Sequence, residues 1–274
     1  MSRVRGRPAT VPMPNTPPPV VVFSDLDGTL LDHRSYSAEA ARPALARLAA
    51  LGAPVILSSS KTAAEMGPLR RALGLERWPA IVENGAGVLE AGRAADRPAA
   101  TEYLRLRGAL ARLPPHLRTP FRGFGDMSMG AIARATGLPA GEVPAAADRG
   151  HSEPGLWQGS EARRSEFIAA LAEMGVTARE GGRFLTLSFG GTKADRMPGL
   201  AARFGTPLTL ALGDAPNDRE MIEAADIGVI VANPHGKGLP PLAGEAQGRI
   251  RRTRLSGPAG WNEAVQAILN EQGL

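Results

Sequence analysis

The sequence predicts an α/β protein, a Rossmann-like parallel-sheet core with an inserted α+β cap domain. Three observations carry that expectation. Apolar runs of strand length alternate with helical stretches from residue 20 to about 84. The same rhythm returns from about 194 to 272. Between them lie helices and the stretch "RFLTLSF", which alternates as an antiparallel strand does.

Each element can be justified in order. Residues 1–19 hold six prolines and three arginines and read as an extended or disordered tail. "VVVFS" is the first buried strand, at about 20–24. "SAEAARPALARLAALG" (37–52) has apolar residues at helical spacing, with Gly52 as a stop. "PVILSSS" (54–60) is a second buried strand running out into hydroxyls, and "AAEMGPLRRALGL" a helix that Gly67-Pro68 weakens. "AIVEN" (80–84) is a third strand. After "GVLEAG" the pattern changes. "TEYLRLRGALARL", "SMGAIARATGL" and "GSEARRSEFIAALAEMG" are helical, the last running into "RFLTLSF". "ADRMPGLAARFG" returns to helix, followed by the strand "LTLALGD", the helix "DREMIEAA", the strand "IGVIVAN" and a closing helix "AGWNEAVQAILNEQ". The expected division is a tail at 1–19, a core at 20–96 and 190–274, and a specificity cap at 97–189.

Composition narrows the function classes. The chain has 274 residues, 43% hydrophobic and 22% charged, as in ordinary globular proteins. It lacks cysteine, which excludes disulfides, thiolate metal sites and cysteine nucleophiles and fits a cytoplasmic location. Aromatics make up only 4%, which argues against base-stacking surfaces. The net charge of +5 has a local source, in Arg3, Arg5 and Arg7 of the tail and the cluster Arg249, Arg251, Arg252 and Arg254. Neither a nucleic-acid nor a membrane partner is expected. The chain shows no apolar run of membrane-spanning length and no secretory h-region.

In open parallel sheets ligands bind beyond the carboxyl ends of the strands. Here strand one ends in Asp25-Leu26-Asp27-Gly28-Thr29, strand two in Ser58-Ser59-Ser60-Lys61, and a late strand in Gly213-Asp214 before Pro216-Asn217-Asp218. If the strands are neighbours, four carboxylates, several hydroxyls and a lysine converge on one edge. Carboxylates gathered this way repel unless a cation lies among them. An all-oxygen ligand set of this kind suits Mg²⁺ with a phosphate oxygen as a further ligand. Lysine and serine are phosphate donors, and Gly28 lets the backbone come close. One aspartate can then attack phosphorus, while the other serves as general acid and then base. Lysine occurs only at 61, 193 and 237, which singles out Lys193 just before a core helix.

These residues resemble the haloacid dehalogenase superfamily of phosphohydrolases. "DLDGTL" is similar to its first motif, Ser59 to its second, Lys193 to its third and "GDAPND" to its fourth. The resemblance implies Asp25 as nucleophile and Asp27 as acid/base. Ser59, Ser60, Lys193 and Asn217 would hold the phosphoryl group. Asp25, Asp27 through its carbonyl, and Asp214 would bind Mg²⁺, with Asp218 close by. "SSSKTAAE", "VENGAG", "GFGDMS", "SEPGLW" and "GGRFLTLSFGGTK" together resemble the mannosyl-3-phosphoglycerate phosphatase family. That implies a substrate bearing sugar, glycerate and phosphate, its non-phosphate part met by Lys61, Asn84, Arg149, Ser152 and Glu153. The chain departs from that family in Thr192-Lys193-Ala194, where Asp-Lys-Gly is common, and in Thr186, where a histidine is common. The glucosyl analogue or another sugar phosphate is the alternative substrate, and a non-enzymatic basic binding protein a remote one. In "GFGDMSMG", Asp126 or Ser128 reads as a helix N-cap. His151 and His235 have no partner at ligand spacing and read as ordinary loop histidines.

Overall fold

The computed structural model describes residues 17–92, 101–181, 183–236 and 238–274. Most of the proposed tail, the stretch where the cap was expected to begin, and Lys237 lie outside the described residues. Eleven strands are present among those described: β1 (Val20–Ser24), β2 (Val55–Leu57), β3 (Ala80–Val82), β4 (Gly87–Leu89), β5 (Phe121–Gly123), β6 (Ser152–Trp157), β7 (Thr177–Gly181), β8 (Phe184–Ser188), β9 (Leu208–Gly213), β10 (Ile227–Ala232) and β11 (Ile250–Ser256).

Five of them form a parallel sheet in the order β11-β10-β9-β1-β2. β1 is an interior strand, between β9 and β2, and is buried at every position, so both faces of the sheet are covered there. Its register aligns Val22 with Val55 on one side and Leu210 on the other. That register brings the ends of β1, β2 and β9 to one edge. Helix Arg42–Ala50 packs beside Gly257–Glu271, and Lys193–Ala202 beside Arg219–Ala224. Trp261, from the closing helix, is wholly buried and donates to Ser24 Oγ at 2.9 Å. Ser24 in turn donates to the Asp25 carbonyl. β3 and β4 form a small antiparallel hairpin that touches the end of β2 through Ser58 and Ile81.

The cap is built on a second sheet, antiparallel, in the order β5-β6-β8-β7. Phe121, Trp157, Leu185 and Leu187 share one face and pack against Leu106 of helix Thr101–Ala111 and Phe167 and Leu171 of helix Glu161–Ala172. Ser152, Pro154, Thr186 and Ser188 lie on the opposite face, which turns toward the core.

Five strands escape a reading of the sequence alone: β4, β5, β6, β7 and β11. Each has a physical reason. β4 and β5 have three residues each, too short for a period to show. β6 reads "SEPGLW", whose proline and glycine argue against a strand. Pro154 pairs with Thr186 on β8, while pairing with β5 starts only at Gly155, so the missing N–H breaks no bond on that side. A Cβ at Gly155 would lie 2.4 Å from the Phe121 ring. β7 is mostly exposed, and β11 carries the basic cluster along an exposed edge. There Arg251 pairs with Glu271, Arg252 with Glu245 and Arg254 with Glu263. Arg249 donates to the Glu223 and Ala225 carbonyls. The cluster is therefore neutralised by its own surroundings. No helix among the described residues is long and apolar enough to cross a membrane.

Candidate active site

The period of a strand explains the first two acids. Leu26 points into the core and is fully buried, so Asp25 and Asp27 emerge on the other side. The Asp25 N–H is held by the Leu212 carbonyl at 2.9 Å, which registers β1 against β9. The chain then turns tightly. Thr29 and Leu31 N–H groups both bond the Leu26 carbonyl. Gly28 takes φ +83°, and a Cβ on it would lie 2.4 Å from Asn233 Nδ2.

Lys193 is the first residue of its helix. Thr192 and Asp195 form the capping box that fixes the start. Its Nζ, 2% exposed, lies 2.7 Å from Asp25 Oδ1 and 2.7 Å from Asp218 Oδ1. Asp218 Oδ2 accepts from the Asp214 and Ala215 N–H groups. Gly213 is required by this approach, since its Cβ would meet Asp218 Cβ at 2.4 Å. Asp214 accepts from Thr29 Oγ1 and from Asn233 Nδ2, both at 2.7 Å.

Asp25, Asp214 and Asp218 are all buried and each offers an oxygen, these atoms lying within 4.8 Å of one another. One ammonium answers three carboxylates. The consequence shows in the titration of Asp25 and Asp214. Burial, and then Asp218, push the Asp25 carboxyl well above its ordinary value. Burial raises Asp214 as well, although Asn233 and Thr29 bond it. Burial alone would lower Lys193, but Asp218 and Asp25 outweigh it and raise it. A buried site short of positive charge and lined by oxygen donors fits a hard divalent cation such as Mg²⁺.

Asp27 stands outside that cluster, its side chain 40% exposed. Tyr36 OH donates to its Oδ1, and Lys61 Nζ lies 3.1 Å from its Oδ2. Lys61 also donates to the Tyr36 oxygen at 2.9 Å. Burial, and then Asp27, push the Tyr36 hydroxyl up to about 12. Burial would lower Lys61, yet Asp27 and Tyr36 raise it.

Ser59 is buried at the end of β2, and its carbonyl accepts from Asn84 N–H. Its Oγ accepts from Lys61 N–H at 3.3 Å. Ser60 is exposed. Asn217 Nδ2 reaches Asn84 Oδ1 at 3.3 Å, so these two side chains meet across the core. The turn after β3 is unusual. Glu83 and Asn84 have φ +52° and +56°, left-handed values that cost about 1–2 kcal/mol in a residue with a side chain. Gly85 follows at +96°, where a Cβ would strike the Thr192 backbone at 2.1 Å.

That turn aims Glu83 at the cap. Its buried carboxylate accepts from the N–H groups of Gly150, His151 and Ser152 and from Ser152 Oγ. Arg149 Nε lies 3.3 Å away. Burial would raise the Glu83 carboxyl, but Arg149, Ser152 and Gly150 prevail and hold it below the ordinary glutamate range. Arg149 also donates to Ser152 Oγ at 2.7 Å and to the Ser60 carbonyl at 3.4 Å. Arg149 and Ser152 thus meet the core. Glu153, the next residue of β6, points the other way, where Tyr103, Arg107 and the Gly125 N–H bond its buried carboxylate.

The structure brings together Asp25, Lys193, Asp214 and Asp218, with Asp27 and Lys61 as a neighbouring pair. Two residues absent from the sequence-based candidates belong beside them. Glu83 sits within the quoted motif "VENGAG" and could have been found there as a charged residue between a buried strand and an Asn-Gly turn. Nothing in the sequence connects Tyr36 to Asp27. Two expectations are corrected. Glu153, expected to meet the substrate, lies on the far face of β6, its buried carboxylate bonded by Tyr103, Arg107 and the Gly125 N–H. His151, expected to have no partner at ligand spacing, makes a hydrogen bond instead: its Nδ1 lies 2.6 Å from Glu102 and its ring covers Gly87. In "GFGDMSMG", Ser128 caps helix Met129–Thr136, while Asp126 bonds Gly123 N–H and pairs with Arg107 and Arg118.

Residues 22–102 match the family model of haloacid dehalogenase-like hydrolases. The fold resembles several solved structures along most of both chains. A haloacid dehalogenase-like hydrolase from Bacteroides thetaiotaomicron superposes with TM-score 0.64 at 19% identity, covering 90% of this chain and 98% of that one. A phosphatase of the same superfamily from the same organism gives 0.59 at 18%, covering 97% and 99%. The sucrose-phosphatase of a Synechocystis species, solved with sucrose and phosphate, gives 0.59 at 16%, covering 91% and 97%. The resemblance to the haloacid dehalogenase superfamily therefore holds by sequence over the first core segment and by fold over the chain.

Proposed function

We propose that the chain is a Mg²⁺-dependent phosphatase that hydrolyses mannosyl-3-phosphoglycerate to mannosylglycerate and phosphate in the cytoplasm. The observation that carries this reading is the buried Lys193 ammonium shared between Asp25 and Asp218 beside Asp214, with Asp27 standing apart. Such a division gives two aspartates of one motif two different tasks.

Asp25 Oδ attacks phosphorus, and the bond from phosphorus to the sugar-glycerate oxygen breaks. Asp27 gives its proton to that departing oxygen. Asp27 then takes a proton from water as the water attacks the aspartyl phosphate, which releases phosphate and restores Asp25. Lys193, Ser59, Ser60 and Asn217 hold the phosphoryl oxygens. Asp25, the Asp27 carbonyl and Asp214, with Asp218 close by, would hold Mg²⁺, which supplies positive charge against the phosphoryl oxygens when bound.

Residues 97–189 act as the cap that reads the rest of the substrate, through Arg149 and Ser152, with Lys61 and Asn84 on the core side. Similarity to a sucrose-phosphatase fold supports a sugar phosphate as the substrate class. Thr186, where a histidine is common, keeps glucosyl-3-phosphoglycerate as the second reading. The test is phosphate release from the mannosyl and glucosyl esters, and from other sugar phosphates, with Mg²⁺ and with excess chelator. The reading expects the mannosyl ester to lead in kcat/KM and chelator to stop turnover. Full activity in chelator would sink the metal site, and a different leading ester would change the substrate.

A further inference from the structure

The chain has two tyrosines, and one stands at the mouth of this site. Core packing does not account for Tyr36, which is 49% exposed. Its backbone takes φ +57°, a value that an aromatic residue holds only when its surroundings impose it. The surroundings are a turn whose bonds converge on it. The Asp32 carboxylate accepts from Arg34 N–H, Ser35 N–H and Ser35 Oγ. Tyr36 N–H bonds the Asp32 carbonyl, and Asp32 N–H bonds the Ser37 carbonyl. This turn delivers one polar atom to the site, the Tyr36 hydroxyl on Asp27 Oδ1. Lys61 completes a three-membered ring of contacts, reaching both Asp27 Oδ2 and the tyrosine oxygen, with Nζ 5.2 Å from the ring centroid.

We infer that Tyr36 is a positioning residue: with Lys61 it holds the Asp27 carboxyl in the one orientation that meets the departing oxygen of the substrate. The inference rests on the acid/base reading of Asp27 given above. A side chain as exposed as Asp27 would otherwise turn among several rotamers. Two contacts on opposite oxygens remove that freedom before substrate arrives. Proton transfer depends steeply on such placement. The strained turn at 32–37 is then the means by which the fold fixes the carboxyl.

The leaving group separates positioning from a merely structural role. An alkyl phosphate ester needs its departing oxygen protonated, whereas p-nitrophenolate leaves without help. We would measure kcat/KM, which reports phosphoryl transfer to the enzyme, for wild type, Tyr36→Phe and Asp27→Asn with Mg²⁺. The two substrates are mannosyl-3-phosphoglycerate and p-nitrophenyl phosphate. Tyr36→Phe keeps the ring and should lower the value for the sugar ester roughly 10–100-fold. For p-nitrophenyl phosphate the loss should stay under about threefold. Asp27→Asn should show the same contrast, larger. If Asp27→Asn discriminates between the substrates and Tyr36→Phe does not, the inference is overturned and the acid/base reading stands. If Asp27→Asn fails to discriminate, both are overturned together.

Discussion

Lys193 is the residue on which the site's charge depends. It is buried between Asp25 and Asp218, and removing a buried cation from two carboxylates leaves them unpaired at heavy cost. Asp25 and Asp27, two residues apart, differ for the same reason of environment: one is enclosed with Lys193, the other open toward Tyr36 and Lys61. Their variants should differ too. Asp25→Asn should abolish turnover, because an amide is a poor nucleophile. Asp27→Asn should still form a phospho-enzyme that hydrolyses about 10²–10⁴-fold more slowly. Rapid quench with labelled substrate checks this, and an acyl phosphate trapped on any residue other than Asp25 would refute the assignment. At this scale the sequence was informative because the motif acids lie next to strand ends, where the backbone dictates direction. Tyr36 was invisible because its link to Asp27 is made by a turn whose left-handed backbone no composition rule foretells.

Among the elements, the turn Glu83–Gly85 does the most with the fewest residues. It was expected as the end of a strand, with Asn84 as its useful residue. The structure ends β3 at Val82 and turns Glu83 into the cap, where Gly150, His151 and Ser152 donate to it. Four of the five parallel-sheet strands could be read from the sequence since continuous apolar runs betray them, whereas β11 hides among exposed arginines. Of the cap strands only β8 could be read, because β6, for one, needs a proline at the end of its pairing with β5 and a glycine under Phe121, both of which look like breaks. Glu83 carries a stability prediction. Its carboxyl is held low when folded, so its contribution is complete above the ordinary glutamate value and is lost as pH falls through the lower, folded one. Glu83→Gln should destabilise the protein by about 3–5 kcal/mol at neutral pH, since it leaves buried donors and Arg149 without their anion. In urea titrations the gap between wild type and variant should close on acidification below the glutamate range. A gap that is constant with pH would mean that packing, not charge, holds the joint.

Across the whole molecule, on the proposed function, substrate lies between two sheets of different kinds, the parallel one carrying the phosphate chemistry and the antiparallel one facing it. Few groups span the two. Thr62 Oγ1 donates to Ala145 O at 2.7 Å, Arg179 pairs with Glu220 at the exposed rim, and Arg149 joins Glu83, Ser152 and the Ser60 carbonyl. Arg149 is the group among these that a substrate carboxylate would seek. Its fork has five N–H donors, of which Nε faces Glu83, one serves Ser60 and one Ser152, so two remain for a ligand. A glycerate carboxylate buried unpaired between the sheets would be costly, and Lys193 is already committed to Asp25 and Asp218. Arg149→Ala should therefore raise KM for mannosyl-3-phosphoglycerate roughly 10–100-fold, the loss of a charge-assisted pair, and leave p-nitrophenyl phosphate within about threefold. Steady-state kinetics on both substrates decide it. Because Arg149 also faces Glu83, the variant's unfolding midpoint must be read alongside. Equal loss toward both substrates together with a lowered midpoint would assign Arg149 to the joint alone.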